Sequence, residues 1–316
     1  MSDVDTNMPG LTISSPLFFR SDESIDYETL GRYLDDVCVN VHVSAVYAMA
    51  YNTRYRMLGP NELLDVNKFI IQKVKEYGHK VYVGHPYTFN KHSLEKYLSE
   101  IKEEKPDGIS MLYPERYFGI NTPIIEFLRF PLNYGLNVVL HEMKLVSGFD
   151  GELINWPASL LEEVFNSVPL SAIKEDSKDD QITEKVLELC HKHEVTCIVA
   201  GGGKLRASRF FEKGLRTWLN GSTMFVPSLI DKIYVALVES DQSYIDWYMA
   251  NIEKPFFQNV VSNLGWHLAH KVALEYFGYG ERYERFPHAN VGEQEVTRAN
   301  SHLEAIKQSI LNGYAE

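Results

Sequence analysis

Cysteine is scarce in this 316-residue chain: Cys38, Cys190 and Cys197 are an odd number without C-x-x-C spacing, each in or beside an apolar stretch. This excludes a disulfide framework and a cysteine-based zinc site, and leaves three reduced core residues. Basic charge is in deficit too, with 31 Lys and Arg against 43 Asp and Glu for a formal charge of −12. Short clusters such as Lys204-Leu205-Arg206 are too small to form a basic stripe, which excludes a nucleic-acid partner. No apolar run approaches the roughly 18 residues needed to span a bilayer. Residues 1–10 lack the charged and apolar regions of a signal peptide. The expectation is a soluble, cytoplasmic protein with no membrane partner.

What is present is a core-forming composition, 45% hydrophobic and 23% charged, in a chain long enough for one α/β barrel of about 250 residues plus an appendage. Short β-branched runs recur at intervals of roughly 20 to 35 residues, separated by segments with helical spacing. Strands are expected near 11–18, 44–50, 80–84, 108–112, 136–141, 170–174, 196–200 and 217–221. Eight such units match a closed (β/α)8 TIM barrel better than an open doubly wound sheet. Helix signals agree with this frame. Gly59-Pro60-Asn61-Glu62 opens one helix that Tyr77-Gly78 closes, and Asn90-Lys91-His92-Ser93 opens another that ends at Lys105-Pro106. After Pro227 only helical periodicity remains. The expected organisation is a barrel over 1–236 and a C-terminal helical extension over 237–316. Tyr244, Trp247, Tyr248, Phe256, Phe257 and Trp266 read there as core and subunit-contact residues.

In such a barrel the chemistry sits in the loops after the strands. Strand two leads into Tyr51, Asn52 and Arg54, strand three into His85, strand four into Glu115, Arg116 and Tyr117, and strand five ends in His141-Glu142. Strand seven leads into Gly201-Gly202-Gly203-Lys204, and Leu219 lies near the end of strand eight. Lys174 stands at a junction. Val168-Pro169-Leu170-Ser171-Ala172-Ile173 reads as a buried strand before it, and Glu175-Asp176-Ser177-Lys178-Asp179-Asp180 as a polar loop after it. Desolvation at a strand end lowers an amine's pKa and makes it a nucleophile, which outlines a Schiff-base lysine. The plainer alternative is a surface lysine in a charged loop, the reading that suits Lys178. No metal cluster is evident, because adjacent strand residues His141 and Glu142 point to opposite faces.

The order of these features resembles the dihydrodipicolinate synthase and N-acetylneuraminate lyase family over nearly the whole chain. Ser15-Pro16-Leu17-Phe18 with Asp26, Leu58-Gly59-Pro60-Asn61-Glu62, Val81-Tyr82-Val83-Gly84 and Asp107-Gly108 with Pro114 are similar to that family's segments. Most specific is Ala172-Ile173-Lys174-Glu175-Asp176-Ser177, which is similar to the family's G-I-K-[DE]-x-[ST] around its Schiff-base lysine. The resemblance implies a class I lyase or aldolase acting on a 2-oxo acid such as pyruvate, or a related carbonyl compound. It implies a homo-oligomer, dimer or tetramer, and no cofactor.

Three positions depart from the family. Its G-T-T-G-E after strand two is Ala50-Tyr51-Asn52-Thr53-Arg54 here, its proton-relay tyrosine after strand four falls at Arg116 with Tyr117 next, and its Y-N-x-P becomes His141-Glu142-Met143-Lys144. Two readings follow. In one, Lys174 still forms an imine, Tyr117, Tyr51 or His141 transfers protons, and Arg54 and Arg116 hold an anion, with Tyr51, Asn52, Gly201, Gly202 and Leu219 around the substrate. In the other, the barrel is a small-molecule-binding relative without lyase turnover. Each arginine also has a structural reading, a loop salt bridge with a neighbour such as Glu115. The glycine run matches neither a P-loop nor a dinucleotide fingerprint; it gives room near the imine, or backbone amides for a phosphate.

Overall fold

The structure, a computed structural model, describes residues 10–48, 57–86, 90–112, 123–142, 156–200, 203–220, 224–288 and 290–314. Eight parallel strands close in sequence order into a barrel: β1 (Leu11–Ser14), β2 (Val43–Tyr47), β3 (Lys80–Gly84), β4 (Gly108–Leu112), β5 (Val138–Glu142), β6 (Leu170–Glu175), β7 (Thr196–Val199) and β8 (Thr217–Asn220). Each is at the place the apolar runs indicated. β1 is shorter than the run 11–18 because Pro16 lacks the amide that would continue the ladder. β6 is longer at its C-terminal end, so Glu175 belongs to the strand and not to a loop.

The helices between them are α1 (Tyr27–Asn40), α2 (Pro60–Lys75), α3 (Lys91–Ile101), α4 (Ile124–Arg129), α5 (Ala158–Ser167), α6 (Asp180–His193), α7 (Gly203–Phe211) and α8 (Pro227–Glu239). Their caps are the ones legible in the sequence. Gly59 N–H donates to Glu62 Oε2 at 3.0 Å with Pro60 at the first helical position, and Asn90 Oδ1 accepts from Ser93 N–H at 2.8 Å.

The chain packs as two compact units, 1–15 with 43–219, and 16–42 with 220–316. The first holds the barrel strands and α2 to α7. Strand alternation sends Ala45, Tyr47, Tyr82, Val139, Ala172 and Ile198 into one buried cluster, against which Leu219 packs partly buried. Gly108 makes this filling feasible. A Cβ there would lie 2.7 Å from Val139 Cγ2 and 3.2 Å from Tyr82 Cδ1, so a side chain at the base of β4 would displace the core. Thr12 and Thr217 join β1 and β8 through their hydroxyls at 3.2 Å.

The second unit contains α1, α8 and the helices beyond: α9 (Gln242–Tyr248), α10 (Lys254–Phe256), α11 (Ser262–Leu264), α12 (Trp266–Tyr276) and α13 (Glu293–Asn312). Two π-helical stretches, Met249–Glu253 and Phe257–Val261, link α9 to α11. Tyr248 and Phe256 are core residues, as expected, while Tyr244, Trp247 and Tyr314 form a ring cluster with centroids 5.4 to 6.0 Å apart. A barrel domain ending at residue 236 remains a proposal beside this packing division. Among the described residues no helix is long and apolar enough to cross a membrane.

Stability should follow burial on the helix faces. Ile70→Ala, which empties a fully buried site on α2, is expected to lower unfolding free energy by about 2–5 kcal/mol. Lys75→Ala, which breaks the half-exposed Lys75–Asp107 pair on the same helix, should cost under about 1 kcal/mol. Urea denaturation of the two variants checks this, and equal losses would contradict the assigned helix face.

Candidate active site

The site is built by the pairing of β5 with β6. In that register His141 lies opposite Lys174, and the next pair is Glu142 opposite Glu175. Side chains alternate along a strand, so His141 follows Val139, and Lys174 follows Ala172, into the barrel. Glu142 and Glu175 project from the other face. The adjacency that rules out a shared metal for His141 and Glu142 thus places the imidazole inside and the carboxyl behind it.

Lys174 is 2% exposed, and its Nζ lies 2.6 Å from His141 Nε2 and 2.9 Å from Asp176 Oδ2. His141 Nε2 is 3.9 Å from the same carboxylate oxygen, beyond hydrogen-bond reach, so both groups converge on the amine and not on each other. The amine thus donates to a neutral imidazole on one side and forms an ion pair on the other. Burial and then the Lys174 charge lower the His141 pKa to about 4, so the imidazole is neutral at pH 7 with its Nε2 lone pair free to accept. Burial pushes the Asp176 carboxyl up, but Lys174 and His141 together more than offset it and hold the group well below the usual carboxylate range.

The backbone fixes this geometry. Asp176 N–H donates to Glu142 O at 3.1 Å and Ala200 N–H to Glu175 O at 2.7 Å, so strand pairing on both sides extends past Lys174. Behind the barrel wall the Glu175 carboxylate accepts from Ser177 N at 2.8 Å, from Ser177 Oγ, and from Thr183 Oγ1 at 2.9 Å. These bonds tie the β6–α6 connection to the start of α6. Glu142 accepts from Trp156 N at 3.3 Å, and burial followed by the nearby Glu175 charge raises its pKa to about 7.

Deeper in the barrel, Tyr47 from β2 hydrogen-bonds Ser110 from β4, and its ring meets His141 edge-on with centroids 6.3 Å apart. Tyr82 packs against Tyr47 at 6.5 Å, its phenol raised to about 12 by burial and then by Asp107. At the end of β3, His85 is buried, with Nδ1 2.7 Å from Pro86 O and Nε2 3.3 Å from Leu112 N, and burial lowers its pKa. Among the described residues no group of three or more His, Cys, Asp or Glu is placed to hold a metal ion.

Of the residues singled out in the sequence, Lys174 and His141 are brought together, and Leu219 lines the barrel cluster. Tyr51, Asn52, Arg54, Arg116, Tyr117, Gly201 and Gly202 lie outside the described residues. Asp176, Tyr47 and Ser110 were missed. In the sequence Asp176 belongs to a polar run expected to be loop, although the i, i+2 alternation through Ala172, Lys174 and Asp176 carries the signal that places it inside the barrel.

Dihydrodipicolinate synthase from Bacillus clausii superposes with a TM-score of 0.78 at 16% identity, over 95% of this chain and 98% of that one. The chain has that fold. N-acetylneuraminate lyase from Aliivibrio salmonicida matches with a TM-score of 0.78 at 13% identity over 94% and 96% of the two chains. YagE from Escherichia coli, a prophage protein of the dihydrodipicolinic acid synthase family solved in complex with pyruvate, matches at 0.77 and 16% identity over 94% and 98%. No family model matches the sequence, and no curated protein matches it.

The buried carboxyl behind the site makes a pH prediction. Glu142 has a folded pKa of about 7 against an ordinary 4.5, so the fold favours its protonated form. That contribution is fully present below 4.5 and is lost as pH rises through about 7. Glu142→Gln removes the titration, so its stability relative to the wild type should rise between pH 5 and 8 by up to on the order of 3 kcal/mol. Thermal melts across that range test this; a constant difference would show that Glu142 ionises normally.

Proposed function

We propose that the chain is a divergent member of the dihydrodipicolinate synthase and N-acetylneuraminate lyase family, and that it is a class I lyase or aldolase in which Lys174 forms an imine with a carbonyl substrate. The observation that carries this reading is the Lys174 amine at the C-terminal end of β6, 2.6 Å from a neutral imidazole at the corresponding level of β5. The pyruvate-bound YagE structure, with the same fold, makes 2-oxo acids a natural first class to test.

The chemistry follows from the geometry. The Lys174 ammonium passes a proton to His141 Nε2, and the freed lone pair attacks the carbonyl carbon. His141 returns the proton to the carbinolamine hydroxyl, which leaves as water, and the product is a protonated imine. The imine draws electrons from the adjacent bond, which permits C–C cleavage, condensation or dehydration. His141 stands at the start of the family's Y-N-x-P segment and not at its relay tyrosine, and a neutral imidazole next to the amine is suited to exchange the amine's proton. Tyr117 and Tyr51 are the phenols proposed for later proton transfers, and Arg54, Arg116, Asn52, Gly201, Gly202 and Leu219 for holding the rest of the substrate. A cytoplasmic homo-oligomer acting on a small molecule completes the proposal.

A second reading is favoured by one specific feature. The amine is ion-paired and 2% exposed, as in a barrel that binds a small molecule without turnover. Trapping separates the two. With cyanoborohydride and a panel of aldehydes, ketones and 2-oxo acids, the imine reading predicts an intact-mass adduct that is absent in Lys174→Ala and forms about 100-fold more slowly in His141→Phe. No adduct from any carbonyl, combined with a ligand-induced thermal shift that survives Lys174→Ala, would favour the binding protein.

A further inference from the structure

We propose that Asp176 selects the substrate class at this site: it serves as the resident counter-ion of the imine, so the enzyme takes an uncharged aldehyde or ketone in preference to a 2-oxo acid. The inference rests on the imine reading and narrows it.

Position comes first. Asp176 Oδ2 is 2.9 Å from Lys174 Nζ, on a side chain only 13% exposed. Its backbone is fixed in the sheet, since its own amide is bonded to Glu142 O and the preceding residue is held on its carbonyl by Ala200 and on its carboxylate by Ser177 and Thr183. Among the described residues Lys174 is the ion-pair partner of that carboxylate, with His141 Nε2 3.9 Å from the same oxygen.

Charge accounting follows. Imine formation converts R–NH3+ and O=CR′R″ into R–NH+=CR′R″ and H2O: the C–N double bond replaces the C–O double bond, and the ammonium's charge passes to the iminium. Two ammonium hydrogens leave with the carbonyl oxygen as water, one of them carried by way of His141. An uncharged carbonyl therefore leaves the ion pair with Asp176 as it was, one cation facing one anion. A 2-oxo acid adds a carboxylate one bond from the imine carbon, so among the described residues one buried cation faces two anions. Like charges a few ångströms apart in a site shielded from water oppose binding and imine formation. With the Asp176 carboxylate held well below the usual range and His141 neutral, no ordinary pH relieves this.

The test compares pyruvamide with pyruvate, two carbonyl compounds of similar shape and different charge, by the initial rate of cyanoborohydride-trapped adduct at Lys174 in the full chain. The wild type is expected to trap the amide faster, and Asp176→Asn to shift the amide-to-pyruvate ratio toward pyruvate by about tenfold or more, the equivalent of one charge interaction worth about 1.4 kcal/mol. Asp176→Glu, which keeps the charge, should retain most of the wild-type ratio and controls for misfolding. A ratio unchanged in Asp176→Asn, or a wild type that traps pyruvate as fast as pyruvamide, overturns the proposal and assigns the carboxylate to arginines elsewhere in the chain. Absence of any Lys174-dependent adduct from either compound sinks the imine reading itself, and the counter-ion role with it.

Discussion

The cross-strand register of β5 and β6 is the constraint on which the site depends. It sets His141 against Lys174 inside the barrel and Glu142 against Glu175 outside it. A slip of one residue would send the amine and imidazole into the layer between sheet and helices and bring two carboxyls into the barrel. The extension of pairing beyond Lys174, through the amides of Asp176 and Ala200, also carries Asp176 into reach of the amine. Burial then does the rest. In a site that excludes water, an imidazole beside a cation stays neutral and a carboxylate beside it stays ionised, so three titratable groups settle into distinct protonation roles without a metal ligand set being required.

Much of the fold was legible in the sequence because a parallel barrel writes each of its strands as a short β-branched run. β3 and β4 match the indicated runs to the residue, and the caps at Gly59-Pro60 and Asn90 are carried by local chemistry alone. What local patterns do not encode is register between strands. That is why the pairing of His141 with Lys174 was not foreseen, although both residues were singled out. Asp176 was lost for a related reason: a run of acids and serine looks like solvent-exposed loop. Its polarity here is met by internal partners, with Glu175 satisfied by Ser177 and Thr183, and Asp176 by Lys174. Tyr47 and Ser110 are polar atoms inside a barrel that pair with each other, a long-range match that no single segment reveals.

The likeness to lyase structures and the divergence from them sit on different levels. The barrel is shared at TM-scores near 0.78 with identity of only 13–16%, which shows how little of the sequence the architecture demands. Function lies in the groups mounted on it. Here a lysine, an imidazole and a carboxylate meet at the ends of β5 and β6, and these groups decide the path of a proton and the charge the site tolerates. The proposed imine chemistry therefore rests on Lys174, with His141 and Asp176 setting its terms.

The central claim, that His141 and Asp176 act together on the Lys174 amine, the one exchanging its proton and the other holding its charge, is tested most directly by a double-mutant cycle. The rate of Lys174 adduct formation with a single uncharged ketone is measured in the wild type, His141→Phe, Asp176→Asn and the double variant. The account predicts strong non-additivity, with the double variant little slower than the slower single one, because each change already breaks the shared unit. Rate losses that simply multiply would contradict it and show that the two side chains touch the amine without working together.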